Sequence, residues 1–322
     1  HHVYYPLKKS GNAASCFVDA AFAGKVTFHH PLPFSPDPMA VKQFLSITAL
    51  ILSLVLATAA QSSLIKRSTS KTDRLDFGPG GTLSVVGAPE GSITILPANG
   101  NEILIEAEIE LRAATEAELT RLAEVTGFVL EEGTGRVSII TTGTHDTKFM
   151  KRVAKKFPRN LIGLPFRIDY TVRVPRYSDL EISSGKGDIS IRGIEGSVKL
   201  NALETDAKLD LVGGGVSATV GKGTVSISLP QSNWRGSAID VQLASGTMEI
   251  HFPVNLSAEL DATVLRSGKI ENSLVGLKPR VRTVQFTEKS IAAKSGAGGV
   301  PMRFTVGDGT LKLRYVGKQA EL

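Results

Sequence analysis

The chain is predicted to be all-β: a β-helix-like solenoid of short strands led by glycine, with one amphipathic helix in its N-terminal half. Three observations carry this reading. A unit of glycine followed by polar, apolar, polar, apolar residues recurs: GTLSV at 81–85, GSITI at 91–95, GRVSI at 135–139, GDISI at 187–191, GSVKL at 196–200, GTVSI at 223–227, GTMEI at 246–250 and GTLKL at 309–313, with a weaker GKIEN at 268–272. Strict alternation marks a strand with one buried face. Further alternating runs lie between the copies, at 180–182, 207–211, 239–243 and 256–260. From about 178 to 316 nothing reads as helix, and strand starts recur every ~8–12 residues, as in all-β folds.

The leading glycine supplies a turn that other residues enter only with strain. The steps from Gly223 to Gly246 and on to Gly268 are 23 and 22 residues, which fits two strands per coil. Units of this size stack, each burying its apolar face against its neighbours. An antiparallel sandwich is the competing architecture. An aromatic content of only 6% and the scarcity of Asn-Gly or Asp-Gly hairpin turns favour the solenoid.

Taken in order, residues 1–38 carry no periodic pattern and precede the first methionine, Met39; they are expected to be an upstream extension foreign to the native protein. Residues 39–59 read as a secretory signal peptide. MAVKQ is a short basic start, residues 44–57 are an uncharged apolar run, and Ala57-Thr58-Ala59 offers small residues where a signal peptidase cuts. The product is expected to be exported: periplasmic, secreted or associated with the cell surface. Residues 60–175 form an N-terminal β region with strands near 83–85, 93–96 and 103–111. Thr115 and Glu118 then form a capping box. Leu119, Leu122 and Val125 give that helix its apolar stripe, and Gly127 ends it. The helix is expected to cover the open edge of the solenoid. Strands at 137–141 and 166–174 complete the region; residues 176–316 are the repeat region and 317–322 a tail.

The single cysteine, Cys16, lies in the extension, so from residue 60 onward there is no disulfide, thiol nucleophile or thiolate metal site. GGGVSATVGKGTVSISLP at 213–230 resembles a phosphate loop but fails the test. Gly215 and Gly221 are separated by five residues instead of four, and Gly223, not a hydroxyl residue, follows Lys222. An alternating strand stands where a helix should open. It reads as a turn between two strands. His145 and His251 have no ligating neighbours in sequence and read as surface residues; no metal or cofactor is predicted. Asp188, Asp206, Asp210, Glu249, Glu259 and Asp261 could meet across strands as acid–base pairs. Acids that alternate with Lys and Ser more simply form a solvated face, so no catalytic residue is assigned.

The net charge of +6 has a local source. Residues 148–159, KFMKRVAKKFPR, hold six basic groups and no acid: Lys148, Lys151, Arg152, Lys155, Lys156 and Arg159. Phe149, Val153 and Phe157 recur at helical spacing among them. Such a segment is expected to be a solvated loop or helix tucked on the solenoid by its Phe residues; as a helix it could instead lie on an anionic membrane or polyanion surface. A local patch on an otherwise balanced chain argues against a nucleic-acid binder.

The stretches YSDLEISSGKGDISIRGIEGSVKLNALETDAKLDLVGG, LASGTMEIHFPVNLSAELDATVLRSGKIEN and VGDGTLKLRY resemble the putative-adhesin family of bacterial envelope proteins. The resemblance rests on the Ser-Gly-x-Gly-Asp-Ile-x-Ile pattern at 184–191 and on PVNLSAELD at 253–261; it covers roughly 165–316 and, more weakly, 75–165. It implies a repetitive β-helix-like array with an adhesive role and brings no catalytic residues. Residues 202–205 depart from it, because the turn glycine is missing there. The expectation is a non-enzymatic envelope protein, an adhesin or surface-binding scaffold. Its partner would be a cell-surface glycan, an envelope protein or an anionic membrane, not a nucleic acid. A glycan-active β-helix enzyme and an envelope-stress sensor acting through 148–159 are the alternatives.

Overall fold

The computed structural model describes residues 64–153, 157–230 and 234–316. The extension expected at 1–38, the signal peptide at 39–59 and the tail at 317–322 lie outside the described residues. The alternating runs form strands throughout. The N-terminal part contains β1 (Ile65–Asp76), β2 (Thr82–Val86), β3 (Ile93–Ala98), β4 (Glu102–Ala113), helix α1 (Glu116–Ala123), β5 (Gly127–Gly133), β6 (Arg136–Thr142), helix α2 (Thr147–Val153), a 3-10 turn (Arg159–Leu161) and β7 (Phe166–Pro175). Next come β8 (Asp179–Lys186), β9 (Ile189–Arg192), β10 (Val198–Asp210), β11 (Val216–Ser228) and β12 (Ile239–Phe252). The chain finishes with β13 (Ala258–Val264), β14 (Gly268–Asn272), β15 (Lys278–Pro279), β16 (Ser290–Ser295) and β17 (Val300–Tyr315).

The strands stack in two columns. One runs β5-β6-β2-β8-β10-β11-β12-β17-β13-β16-β15, the other β1-β4-β7-β3-β9-β10-β11-β12-β17-β14. The middle of each column is parallel and in register. β10, β11, β12 and β17 belong to both columns, and each bends between them. Side chains at alternate positions of both halves point inward, so one core runs the length of the stack: Val198, Leu200 and Leu209 on β10, Val216, Ala218, Val220 and Ile227 on β11, Ile239, Val241 and Ile250 on β12. Ile194, Leu211 and Leu229, from successive connections, are buried in the same cluster.

The bend explains the glycines. Gly187 bends the chain between β8 and β9, as the sequence suggested, but Gly223, Gly246 and Gly309 are not turns between strands; they lie inside continuous strands. Gly223 has φ +130 and Gly246 φ +136, a region that side chains avoid. A Cβ on Gly223 would collide with the carbonyl oxygen of Thr205, and one on Gly246 with that of Gly223. The pairing skips one residue per rung at this corner, Leu203 against Gly221 and Gly221 against Ala244, and resumes at Glu204↔Lys222 and Lys222↔Ser245. Thr205 takes the place of the missing glycine in register with Gly223, so the stack continues across residues 202–205. The rung spacing there is 18 residues (Leu180↔Val198↔Val216), shorter than the 22–23 read from the glycines, and lengthens to 23 at Ile239.

Two features depart from simple sequential coiling. β17 inserts between β12 and β13, so the last strand of the chain is an interior rung. β2 and β3 pair with β8 and β9 on one side and with β6 and β7 on the other. Helix α1 forms as its capping box predicts: Thr115 accepts the Glu118 N–H, the Glu118 carboxylate accepts the Thr115 N–H, and Leu119 and Leu122 are buried. Among the described residues, the outermost strands at this end are β1 and β5, each joined antiparallel to one neighbour. The helix adds Leu119 and Leu122 to the core, and its outer side meets β1 through Arg67, which pairs with Glu116 and donates to Thr120.

Gly223→Val is therefore expected to destabilise by about 3 kcal/mol or more, whereas Lys222→Ala, on an exposed side chain, should shift the thermal melt little. A chain ending before Val300 should lose cooperative unfolding, because β12 and β13 then lack their shared partner; circular dichroism melts read this directly. Tyr170 is fully buried and shares a 2.7 Å hydrogen bond with Thr141. Burial pushes its phenol up to about 12, against the opposing pull of that hydrogen bond. A phenol raised on folding contributes stability that is complete below the unfolded value near 10 and is lost as pH rises through about 12. Tyr170→Phe should flatten that alkaline loss and cost about 1 kcal/mol at neutral pH through the partner hydroxyl left buried.

Candidate anionic-surface site

Parallel stacking sets like positions of successive rungs about 4.8 Å apart, so a column of equal charges would repel. Several outward columns alternate in sign instead. Glu181 lies between Arg136 (2.6 Å) and Lys199 (3.1 Å). At the corner Glu204 lies between Lys186 (3.3 Å) and Lys222 (3.8 Å). Arg192 meets Asp210 at 3.5 Å and Arg303 meets Asp240 at 3.5 Å. The Lys of the Gly-Lys-Gly stretch is thus one member of a corner charge ladder.

The same ladders occupy most of the acids that could have formed a catalytic pair. Asp210 pairs with Arg192, Glu249 sits 3.4 Å from both His251 and Arg314, and Asp261 lies 2.7 Å from Arg280. Asp206 accepts the backbone N–H of Thr224 at 3.0 Å. Asp188 and Asp206 line one outward depression together with Ser92, Thr94, Ser190 and Lys208. Glu259 enters no ion pair among the described residues. His145 is exposed with its ring tilted against Phe166 (centroids 5.3 Å apart), and His251 is half-buried on an outer face. Among the described residues no cluster of three or more His, Cys, Asp or Glu could hold a metal, and no helix is long and apolar enough to cross a membrane.

The basic segment is built differently. Asp146 starts α2 by accepting the N–H groups of Lys148 (2.9 Å) and Phe149 (3.0 Å), and the Phe149 bond foremost holds its carboxyl below the usual range. Met150 is buried and Phe149 half-buried, which fixes the helix by its apolar side. Phe157 packs on the core cluster and Leu161 is buried in it. Lys148, Lys151 and Arg152 project from one turn of α2, and Arg159 from the 3-10 turn beyond; all four are exposed. Lys155 and Lys156 lie outside the described residues. Among the described residues, none of the four cations takes part in an ion pair, in contrast to those of the ladders. Lys151 and Arg159 come together on one groove with Thr144, Met150, Phe157 and Ile162. Thr144 and Ile162 were not singled out by sequence. Nothing in their spacing marks them, since they flank the basic segment on opposite sides and meet only through the fold.

No curated protein matches the chain. Among solved structures, a putative cell adhesion protein from Clostridium sporogenes aligns with a TM-score of 0.41 at 11% identity, over 77% of this chain and 100% of that one. A putative adhesin from Bacteroides fragilis aligns with a TM-score of 0.25 at 11% identity, over 76% and 97%. A putative lipid binding protein from Parabacteroides distasonis gives 0.20 at 11% identity, over 76% and 96%. The pattern of the Toastrack DUF4097 family matches residues 89–314, which include the in-register parallel rungs, and this chain belongs to that family.

Proposed function

We propose that this protein is a non-catalytic β-solenoid of the bacterial cell envelope that attaches to an anionic surface through the basic segment 148–159. The carrying observation is the set of four exposed cations, Lys148, Lys151, Arg152 and Arg159, without acid partners among the described residues, on a segment anchored by Met150 and Phe157. Elsewhere the charges are largely spent on each other, which leaves the faces suited to a scaffold and the segment suited to contact. Export, expected from the sequence at 39–59, would bring the protein to membrane phosphates and acidic envelope polymers, which supports this reading. The acids reviewed above support structural roles: four of the six, Asp206, Asp210, Glu249 and Asp261, are engaged in ion pairs or backbone hydrogen bonds across rungs. A lipid bilayer is the surface favoured here, because apolar side chains lie beside the cations.

The test is co-sedimentation with vesicles. The chain from residue 60 should bind phosphatidylglycerol vesicles and not pure phosphatidylcholine, and should detach as salt rises. Changing Lys148, Lys151, Arg152 and Arg159 together to Ala should remove roughly 1 kcal/mol per cation, enough to abolish sedimentation at low lipid. Equal sedimentation of the variant, with an unchanged melt, would end this reading.

A further inference from the structure

We infer that the groove beside α2 binds a single anionic amphiphile, an alkyl chain carrying a carboxylate or phosphate head. The inference rests on the proposed surface site for its cations, but it concerns one molecule in one groove. Three observations converge on it. The walls are apolar: Met150, Phe157 and Ile162 line the groove. Ile162 is 51% exposed, with Leu161 beside it fully buried. Lys151 and Arg159 stand on the same groove with no acid opposite them among the described residues. Thr144 forms part of the wall, only 3% exposed, and its hydroxyl is buried with no hydrogen-bond partner.

Each observation restricts the ligand. A free phosphate would use the two cations and leave the apolar wall wet. A neutral hydrocarbon would use the wall and leave two cations and a buried hydroxyl without an acceptor. An alkyl chain with an anionic head satisfies both. Its tail covers Met150, Phe157 and Ile162, removing apolar surface from water. Its head lies between Lys151 and Arg159, where charge-assisted hydrogen bonds form. A head oxygen that reaches Thr144 supplies the acceptor its hydroxyl lacks. An acidic peptide offers the charge but not the continuous chain, and it serves as a competitor below.

The experiment is calorimetric titration of the chain from residue 60 with laurate below its micelle concentration. Acetate, inorganic phosphate, dodecyltrimethylammonium and a poly-glutamate peptide serve as comparison probes. Laurate should bind at least tenfold more tightly than every one of them. Ile162→Asn, at an exposed position, should keep the melting temperature and lose at least tenfold in laurate affinity; Lys151→Gln with Arg159→Gln should lose as much. Laurate binding no tighter than acetate, equal binding of dodecyltrimethylammonium or poly-glutamate, or an Ile162→Asn variant of unchanged affinity would each overturn the inference. The two readings fail separately. Phosphatidylglycerol vesicles that bind while laurate does not leave the surface site standing without the groove. Laurate that binds while vesicles do not leaves the groove with a free amphiphile as its ligand.

Discussion

The close approach of one backbone to the next at the corner governs this structure. Each rung must turn from one column into the other within a residue or two, and the rung above repeats the turn about 4.8 Å away. At that distance a Cβ on the inside of the bend meets the carbonyl of the previous rung, as at Gly223 against Thr205 and Gly246 against Gly223. Glycine removes the collision and supplies the positive φ together. Once the corner is aligned, everything else follows in register. Val198, Val216 and Ile239 face inward on successive rungs, and the hydroxyl and charged residues between them face out.

In-register stacking also dictates the surface. A parallel rung brings identical positions of neighbouring repeats together, so a repeat copied without change would stack like charges. Alternation of sign between rungs, as in Lys186, Glu204 and Lys222, removes the penalty and favours the correct register over a slip of one rung. Each such exposed pair contributes little to stability alone. Their larger consequence is for where free charge remains. Among the described residues the cations Lys148, Lys151, Arg152 and Arg159, which form no ion pair, lie outside the stack, on the connection between β6 and β7 that the rungs do not constrain.

Local features of the chain were legible and distant ones were not. Thr115 and Glu118 announce the start of α1 because capping is chemistry within four residues. The strand alternation of GTVSI and GTMEI is equally local. The 18-residue rung was hidden because Thr205 stands in the glycine position, and only its pairing with Gly223 reveals the period. The insertion of β17 between β12 and β13 was hidden for a different reason. GTLKL fits beside GTMEI as well as GKIEN does, so composition cannot choose the neighbour. The basic segment was legible as charge. The groove was not, because Thr144 and Ile162 are joined to it only by packing.

The ends of the stack show how a parallel solenoid is finished. An endless parallel column would present an open edge to other chains. Here three of the four column ends pass to antiparallel strands: β5 on β6, β4 and β1 beyond β7, and β16 on β13. Antiparallel strands tolerate water on one face better than parallel ones do, so the change of direction coincides with the loss of a covering neighbour. β1 carries the logic furthest. Its residues are nearly all polar, it is held to β4 and α1 by ion pairs such as Lys66 with Glu110 and Arg67 with Glu116, and Lys71 lies 4.1 Å from the centre of the Phe128 ring while donating to the Phe128 carbonyl. A strand so charged is a poor template for a further strand. The end of the array is closed by its chemistry as much as by its topology.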